Sequence, residues 1–262
     1  MSVEKKLPLS VAIITLNEER NLSRCLESIR EFAAEIVVID SGSTDGTRAA
    51  AERFGALFEV HPWQGQIAQV RVALKRCTQP WVLCLDADEA LSPELSDSIR
   101  RIFSGGEPSV NGFSINRRTF YLGRWIDHVW YPEWRLRLAR RNVAEWIGRE
   151  PHYVLSVPGA TARLDGDLLH YSFRDLQDHL HKSIKWARMS AYGSETEARS
   201  FPWAGIVISP GWAFFRMLVF KQAWRDGWRG WLIAGVTMVG TFAKYAFIQE
   251  RRWAKENQRS SR

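Results

Sequence analysis

The sequence predicts an α/β protein with a mostly parallel sheet, flanking helices, and apolar or amphipathic helices after it. Three observations carry this. Short apolar runs alternate with helically spaced apolar residues over the first hundred positions. That alternation is the pattern of strands buried on both faces by crossover helices. The polar residues that follow these strands fall at their carboxyl ends, where open α/β sheets collect ligands. From position 202 the composition changes to apolar, Trp-rich and basic.

In chain order, SVAIIT (10–15) reads as a buried strand, and Leu22, Leu26 and Ile29 recur at helical spacing. EIVVID (35–40) is a second strand and 47–54 a helix; LFEV (57–60) is a third strand and 64–76 a helix. WVLCL (81–85) is a fourth strand. Ser92-Pro93-Glu94 then opens a helix, with a capping hydroxyl followed by proline at the first helical position. Residues 110–170 read as strands and turns, with a helix from about Arg174.

WVLCLDADEA ends a buried strand on Asp86, Asp88 and Glu89, carboxylates that repel one another unless something positive sits among them. A D-x-D at a strand end suits Mg²⁺ or Mn²⁺, which take oxygen ligands from carboxylates and substrate phosphates. Thr15-Leu16-Asn17-Glu18 and Asp40-Ser41-Gly42-Ser43-Thr44 end the neighbouring strands, so three polar ends gather on one sheet edge. Between Arg117 and Arg149 stand eight Arg, no Lys and three acids, a composition suited to phosphate and carboxylate recognition.

Cys25, Cys77 and Cys84 have neither zinc spacing nor an even count, which fits a reducing, cytoplasmic setting. MSVEKKLPLSVAIIT offers no apolar stretch long enough for a secretory signal before the first strand. The net charge of +7 resides in residues 216–262, where ten Lys/Arg face Asp226, Glu250 and Glu256. Six of the thirteen Trp (Trp203, Trp212, Trp224, Trp228, Trp231, Trp253) lie at or beyond 203, around the apolar runs 205–220 and 231–248. Trp and Arg beside short apolar helices favour an anionic membrane surface over packing within the protein or a subunit contact. Blocks of Trp, Phe and Ile argue against nucleic acid as the partner.

VAIITLNEERNLSRCLESI, EIVVIDSGSTDGT and WVLCLDADEALSPEL together resemble family 2 glycosyltransferases, whose GT-A fold is Rossmann-like. RRTFYLGRWI, WYPEWRLRLARR and LLHYSFRDL resemble the bacterial branch that includes lipopolysaccharide core β-1,4-glucosyltransferases. The resemblance implies 1–108 as the nucleotide-sugar half, 109–200 as the acceptor half and 201–262 as a membrane-associating tail. It implies an inverting transfer from a nucleotide sugar, with UDP-hexose as the expected donor, to a hydroxyl of a cell-envelope glycan or glycolipid, at the inner face of the cytoplasmic membrane. Thr15, Asn17 and Glu18 would close over base and ribose. Asp40 would bond the base, with Ser41, Gly42, Ser43 and Thr44 lining its pocket. Asp86 and Asp88 would meet ribose and metal-bound diphosphate.

Glu133 occupies the place of the catalytic base, with Arg137 and Arg140 behind it; Glu150 and Asp127 are alternatives, and the bland reading of Glu133 is a salt bridge to Arg135 or Arg137. His152 and His170 would orient acceptor or phosphate. Two departures stand out: Arg71 where relatives carry Asn among the donor-binding residues, and Tyr153 where many carry an acid. They motivate a rival reading, a catalytically impaired binder of nucleotide sugars and membranes. A nucleotidyltransferase is disfavoured because TLNEERN lacks a Gly-rich basic loop.

Overall fold

Leu7–Thr15 (β1) is a run of β-branched and apolar residues, and it lies at the middle of the parallel layer. β2 (Ala33–Asp40) and β4 (Trp81–Asp86) pair parallel to it on either side, and β3 (Leu57–Val60) pairs parallel to β2. α1 (Glu19–Ile29), α2 (Thr47–Arg53) and α3 (Gln66–Arg76) are the crossovers. α1 buries Leu22, Cys25, Leu26 and Ile29, the periodic face expected of it. The coordinates are a computed structural model describing residues 6–150, 152–193 and 204–260; Trp203 and the first five residues lie outside them.

α4 (Pro93–Ser104) starts as expected, with the Ser92 hydroxyl accepting from Leu95 N at 3.2 Å. α3 begins two residues later than the periodicity suggests. Gly65 adopts φ 105°, and Glu150 Oε1 accepts from Ile67 N at 3.1 Å, closing the helix's first turn. Beyond β4 the sheet becomes mixed. Its order is β3-β2-β1-β4-β8-β6-β11-β5, where β5 is Glu89–Leu91, β6 Gly112–Tyr121, β8 Trp134–Arg140 and β11 Thr161–His170. β8 is antiparallel to both β4 and β6, and β11 is parallel to β6. β7 (Arg124–Trp125) pairs with the end of β6, and β9 (Glu145–Arg149) with β10 (His152–Ser156) forms a separate hairpin. The α/β class and the mostly parallel sheet are as expected. The strand β5 was not, since three residues give no periodicity.

The chain forms two units, residues 1–119 with 132–172, and residues 120–131 with 173–262. This differs from the expected division. The halves 1–108 and 109–200 share one sheet, and the last unit begins near Phe173 and recruits 120–131.

In the second unit α5 (Leu176–Gly193), α6 (Ser209–Val219) and α7 (Trp228–Ser260) surround a core of Tyr121, Ile126, Val129, Met217, Ala223, Ile233 and Ala234. Asp226, 5% exposed, accepts from the backbone N–H groups of Asp127 and Val129 at 3.1 and 2.9 Å. The C-terminal helices are therefore stitched to 120–131 rather than hung from the chain as a tail.

His179 is buried in an aromatic box with Tyr121, Trp130 and Phe173, its Nδ1 2.9 Å from the Tyr121 hydroxyl. Burial lowers its pKa from 6.5 to about 4. Between those values the unfolded chain binds a proton that the folded chain refuses, so stability falls as pH falls through that window. Acidification from pH 7 to 5 should therefore cost roughly 2 kcal/mol through this group. Denaturant unfolding of His179→Gln at both pH values should show that much less pH sensitivity; equal slopes would acquit the imidazole.

Candidate active site

β1 and β4 are adjacent, yet their chain connections lead to opposite sides, so a crevice opens at their carboxyl ends. Register sets Ile14 beside Asp86 and Thr15 beside Asp40, which brings the three polar strand ends together as expected.

Two of these ends are laced to each other. Asp40 is buried, and its Oδ1 accepts from the N–H groups of Gly42 and Ser43 at 2.8 and 2.7 Å. Its Oδ2 accepts from the hydroxyls of Thr15, at 2.8 Å, and Ser43. Asn17, at φ 56°, donates its N–H to Ser43 Oγ at 2.7 Å and accepts from Thr44 N at 2.9 Å. Glu18 N donates to Thr47 Oγ1, and Glu18 Oε2 accepts from Asn21 Nδ2. Ser41 Oγ accepts from Gln69, a wholly buried amide on α3 that also holds His61. Asp40 thus shapes the loop, while Asn17, Gly42 and Thr44 stand exposed along it.

The third end answers the question of charge. Arg137, on β8, donates from Nη2 to Asp86 Oδ2 and to Glu89 Oε1, both at 2.9 Å. Glu89 is fully buried, and its Oε2 accepts from Asp86 N at 2.9 Å. Burial raises the Glu89 pKa, and Arg137 and then Arg117 oppose that rise. Arg137 itself, buried between two carboxylates, is held firmly protonated. The sequence assigned Arg137 to acceptor or phosphate; the structure makes it the countercharge of the carboxylate cluster. A cation is not required to relieve the Asp86–Glu89 repulsion.

Asp88 lies beside an imidazole. Its Oδ2 lies 3.5 Å from His170 Nε2, and both side chains keep some access to solvent. β5 supplies the reason, because its register pairs His170 with Glu89, and Tyr171 N donates to the Asp88 carbonyl at 2.9 Å. An imidazole nitrogen and a carboxylate oxygen at this spacing fit two positions around one divalent ion, the rest falling to phosphate and water. Among the described residues no third His, Cys, Asp or Glu joins them.

Glu133 sits between guanidinium groups. Arg117 Nε reaches its Oε2 at 2.8 Å, and Arg135 Nη2 its Oε1 at 2.6 Å. Burial pushes its pKa up, but the two arginines outweigh burial and hold it at about 2. The salt bridge foreseen to Arg135 is present, and its second partner is Arg117 rather than Arg137. Arg117 also reaches Glu89 at 3.3 Å, so it links the two carboxylate groups.

Other candidates lie elsewhere. Arg140 pairs with Trp81 at the start of β4, about 16 Å of strand from Asp86; it binds Glu107 and the Pro108 carbonyl. His152 is exposed on the β9–β10 hairpin, paired in register with Arg149. Glu150 closes the first turn of α3, and Asp127 belongs to the second unit. The two departures meet at Trp146: Arg71 donates to its carbonyl at 2.7 Å, and the Tyr153 ring lies 5.4 Å from its indole. Arg137 Nε and Trp146 Nε1 are buried without an acceptor among the described residues, and both residues line a cavity of about 10 Å³ beside Asp86. Sequence reasoning missed Arg117 and Glu89 as partners; the Lys-free run of eight Arg was the available signal.

The family model described as glycosyl transferase family 2 matches residues 10–155. The lipopolysaccharide core biosynthesis glycosyltransferase LpsC of Rhizobium meliloti is 32% identical over 254 residues, covering 94% of this chain and 93% of its own. An uncharacterised glycosyltransferase of Rickettsia typhi is 26% identical over 92% of this chain and 87% of that protein. Among solved structures, the mannosyltransferase PcManGT of Pyrobaculum calidifontis, with GDP-Man and Mn²⁺, covers 92% of this chain and 87% of its own at 13% identity and a TM-score of 0.48.

Removing one partner of a buried ion pair strands the other. Arg137→Met should therefore lower stability by about 3–5 kcal/mol, measured by denaturant unfolding. Adding Glu89→Gln should restore a large part of the loss, and a double variant no better than the single one would show that the pair is uncoupled.

Proposed function

The chain belongs to glycosyltransferase family 2, and from that premise we propose that it transfers a hexose from a nucleotide sugar, UDP-hexose as the expected donor, to a hydroxyl of a lipopolysaccharide core or related envelope glycan. The observation that carries this reading is the convergence of a rigid polar loop and a partly open D-x-D at the β1/β4 crevice. The likeness to LpsC along nearly the whole chain supports the class of acceptor.

In this reading, the exposed edge formed by Thr15, Asn17, Glu18 and Ser41 to Thr44 receives base and ribose. Asp40 keeps that edge in shape. Asp86, steered by Arg137, faces the ribose. Asp88 and His170 are the residues that would hold a divalent cation, Mg²⁺ or Mn²⁺, whose charge would offset that of the departing diphosphate. Arg135, the more exposed partner of Glu133, lies within the same cluster to stabilise phosphate.

Glu133 is the proton acceptor by elimination. It is the carboxylate of the cluster that is both outside the D-x-D and open to solvent, since Glu89 is sealed. Its low pKa weakens it as a base, so proton transfer comes late, as the acceptor oxygen bonds to C1. A single displacement of this kind inverts the anomeric centre and gives a β-glycoside from an α-linked donor.

The locked state of Glu133 also favours the rival binder, and turnover separates the two. The exposed Trp and Arg side chains of the second unit support attachment to the cytoplasmic face of an anionic membrane, where a lipid-linked acceptor would be presented.

A screen of nucleotide sugars against core lipid extracts, read by mass spectrometry, should yield one glycosylated product and a nucleoside diphosphate. Binding of donor with no product from any acceptor would establish the binder instead. Asp88→Asn and His170→Ala should each weaken Mn²⁺ activation. Glu133→Gln should keep donor affinity and reduce kcat by roughly 10²–10⁴-fold. A loss below tenfold would remove Glu133 as the base.

A further inference from the structure

α7 is the one helix among the described residues long and apolar enough to cross a membrane. We propose that it does not cross, and that α6 and α7 instead lie in one leaflet of an anionic bilayer as an in-plane hairpin. This rests on the membrane attachment proposed above and specifies its geometry.

A crossing helix must present its whole circumference to lipid or to other apolar helices. One face of α7 is already committed. Ile233 and Ala234 are fully buried in the core that includes Tyr121, Ile126 and Val129, and Val236 is 5% exposed. Farther along, Gly240 lies against Ser183 of α5, Arg188 stands over the Phe247 ring, and Arg251 Nη1 donates to the Ala191 carbonyl at 3.2 Å. α5 carries Asp178, His181, Lys182, Lys185 and Arg188. Taking α7 through hydrocarbon would draw these charges in with it or strip the core from the unit.

The opposite faces are free and apolar. Ile208, Trp212, Phe215 and Val219 repeat at i, i+4, i+7 and i+11, each about half exposed or more. Trp228, Trp231, Met238, Val239 and Phe242 form a matching exposed stripe on α7. The helices run antiparallel, because Phe214 packs on Trp231 at 6.1 Å while Gly205 abuts Tyr245.

Charge selects the occupant. Residues 204–249 contain Arg216, Lys221, Arg225, Arg229 and Lys244, and their one carboxylate, Asp226, is turned inward to bind backbone N–H groups. An apolar aromatic face bordered by cations, with no outward acid, complements phospholipid headgroups over acyl chains. It is poorly suited to a second copy of itself, since like-charged rims would oppose each other.

The full-length protein should sediment with phosphatidylcholine vesicles containing phosphatidylglycerol, and high salt should release only part of it. Trp212→Gln, Phe215→Gln and Trp231→Gln combined should weaken binding at least about tenfold while thermal unfolding is retained, since all three are exposed. Topology decides the geometry. The three native cysteines are buried, so Lys221→Cys and Lys255→Cys can be read singly with an impermeant maleimide on sealed inside-out membrane vesicles. Labelling of both positions from the cytoplasmic side confirms the in-plane hairpin. Protection of one and labelling of the other means that α7 spans, which overturns the inference and leaves membrane attachment standing. A stable dimer that ignores vesicles overturns both.

Discussion

The fold around the crevice depends on one buried ion pair, Glu89 with Arg137. A carboxylate with no solvent access is tolerable only with a partner of good geometry, and Arg137 supplies it at 2.9 Å while also gripping Asp86. Such a pair adds little net stability, because desolvation of both ions consumes most of the attraction. Its effect is on arrangement. It fixes β8 beside β4 and sets the direction of Asp86. Through Arg117 it extends to Glu133, so Asp86, Glu89 and Glu133 are each paired with arginine from within the fold.

The parallel layer was legible in the sequence because each of its strands announces itself locally. LFEV is found at the positions expected, and the Ser92 cap works as its motif implies. The polar strand ends were legible for the same reason. What could not be read was any relation set by long-range register. His170 meets Asp88 only because β11 pairs with a three-residue strand, and Arg137 meets Glu89 only because β8 enters the sheet out of chain order. Arg137 and Arg140 look equivalent in RLRLAR, three residues apart. Arg137 reaches toward the carboxyl end of β4, whereas Arg140 pairs at its start. Glu150 reads in the sequence as an alternative base, whereas in the fold its carboxylate accepts from Ile67 N in the first turn of α3.

The second unit teaches a different lesson about composition. Apolar runs of nearly spanning length suggest a tail, yet part of that apolar surface is ordinary core. Tyr121, Val129 and the His179 box take one side of the helices, and the remaining side is the exposed Trp and Phe surface. Hydropathy summed along a helix cannot separate these two faces; the contacts of Ile233 and Trp231, two residues apart, do so at once.

The insertion of β8 between β4 and β6 also dictates an order of events during synthesis. Glu89 emerges 48 residues before Arg137, and its strand partner His170 comes later still. The nascent β1–β4 layer must therefore wait with one edge unpaired and a cluster of acids facing water, shielded from aggregation by that same charge. Closure then requires contacts between distant parts of the chain, the slow kind to form. Substitutions at Arg137 would consequently register in a cell as low abundance before they registered as lost catalysis, so a survey of inactive variants would need protein levels beside it to tell a maturation defect from a chemical one.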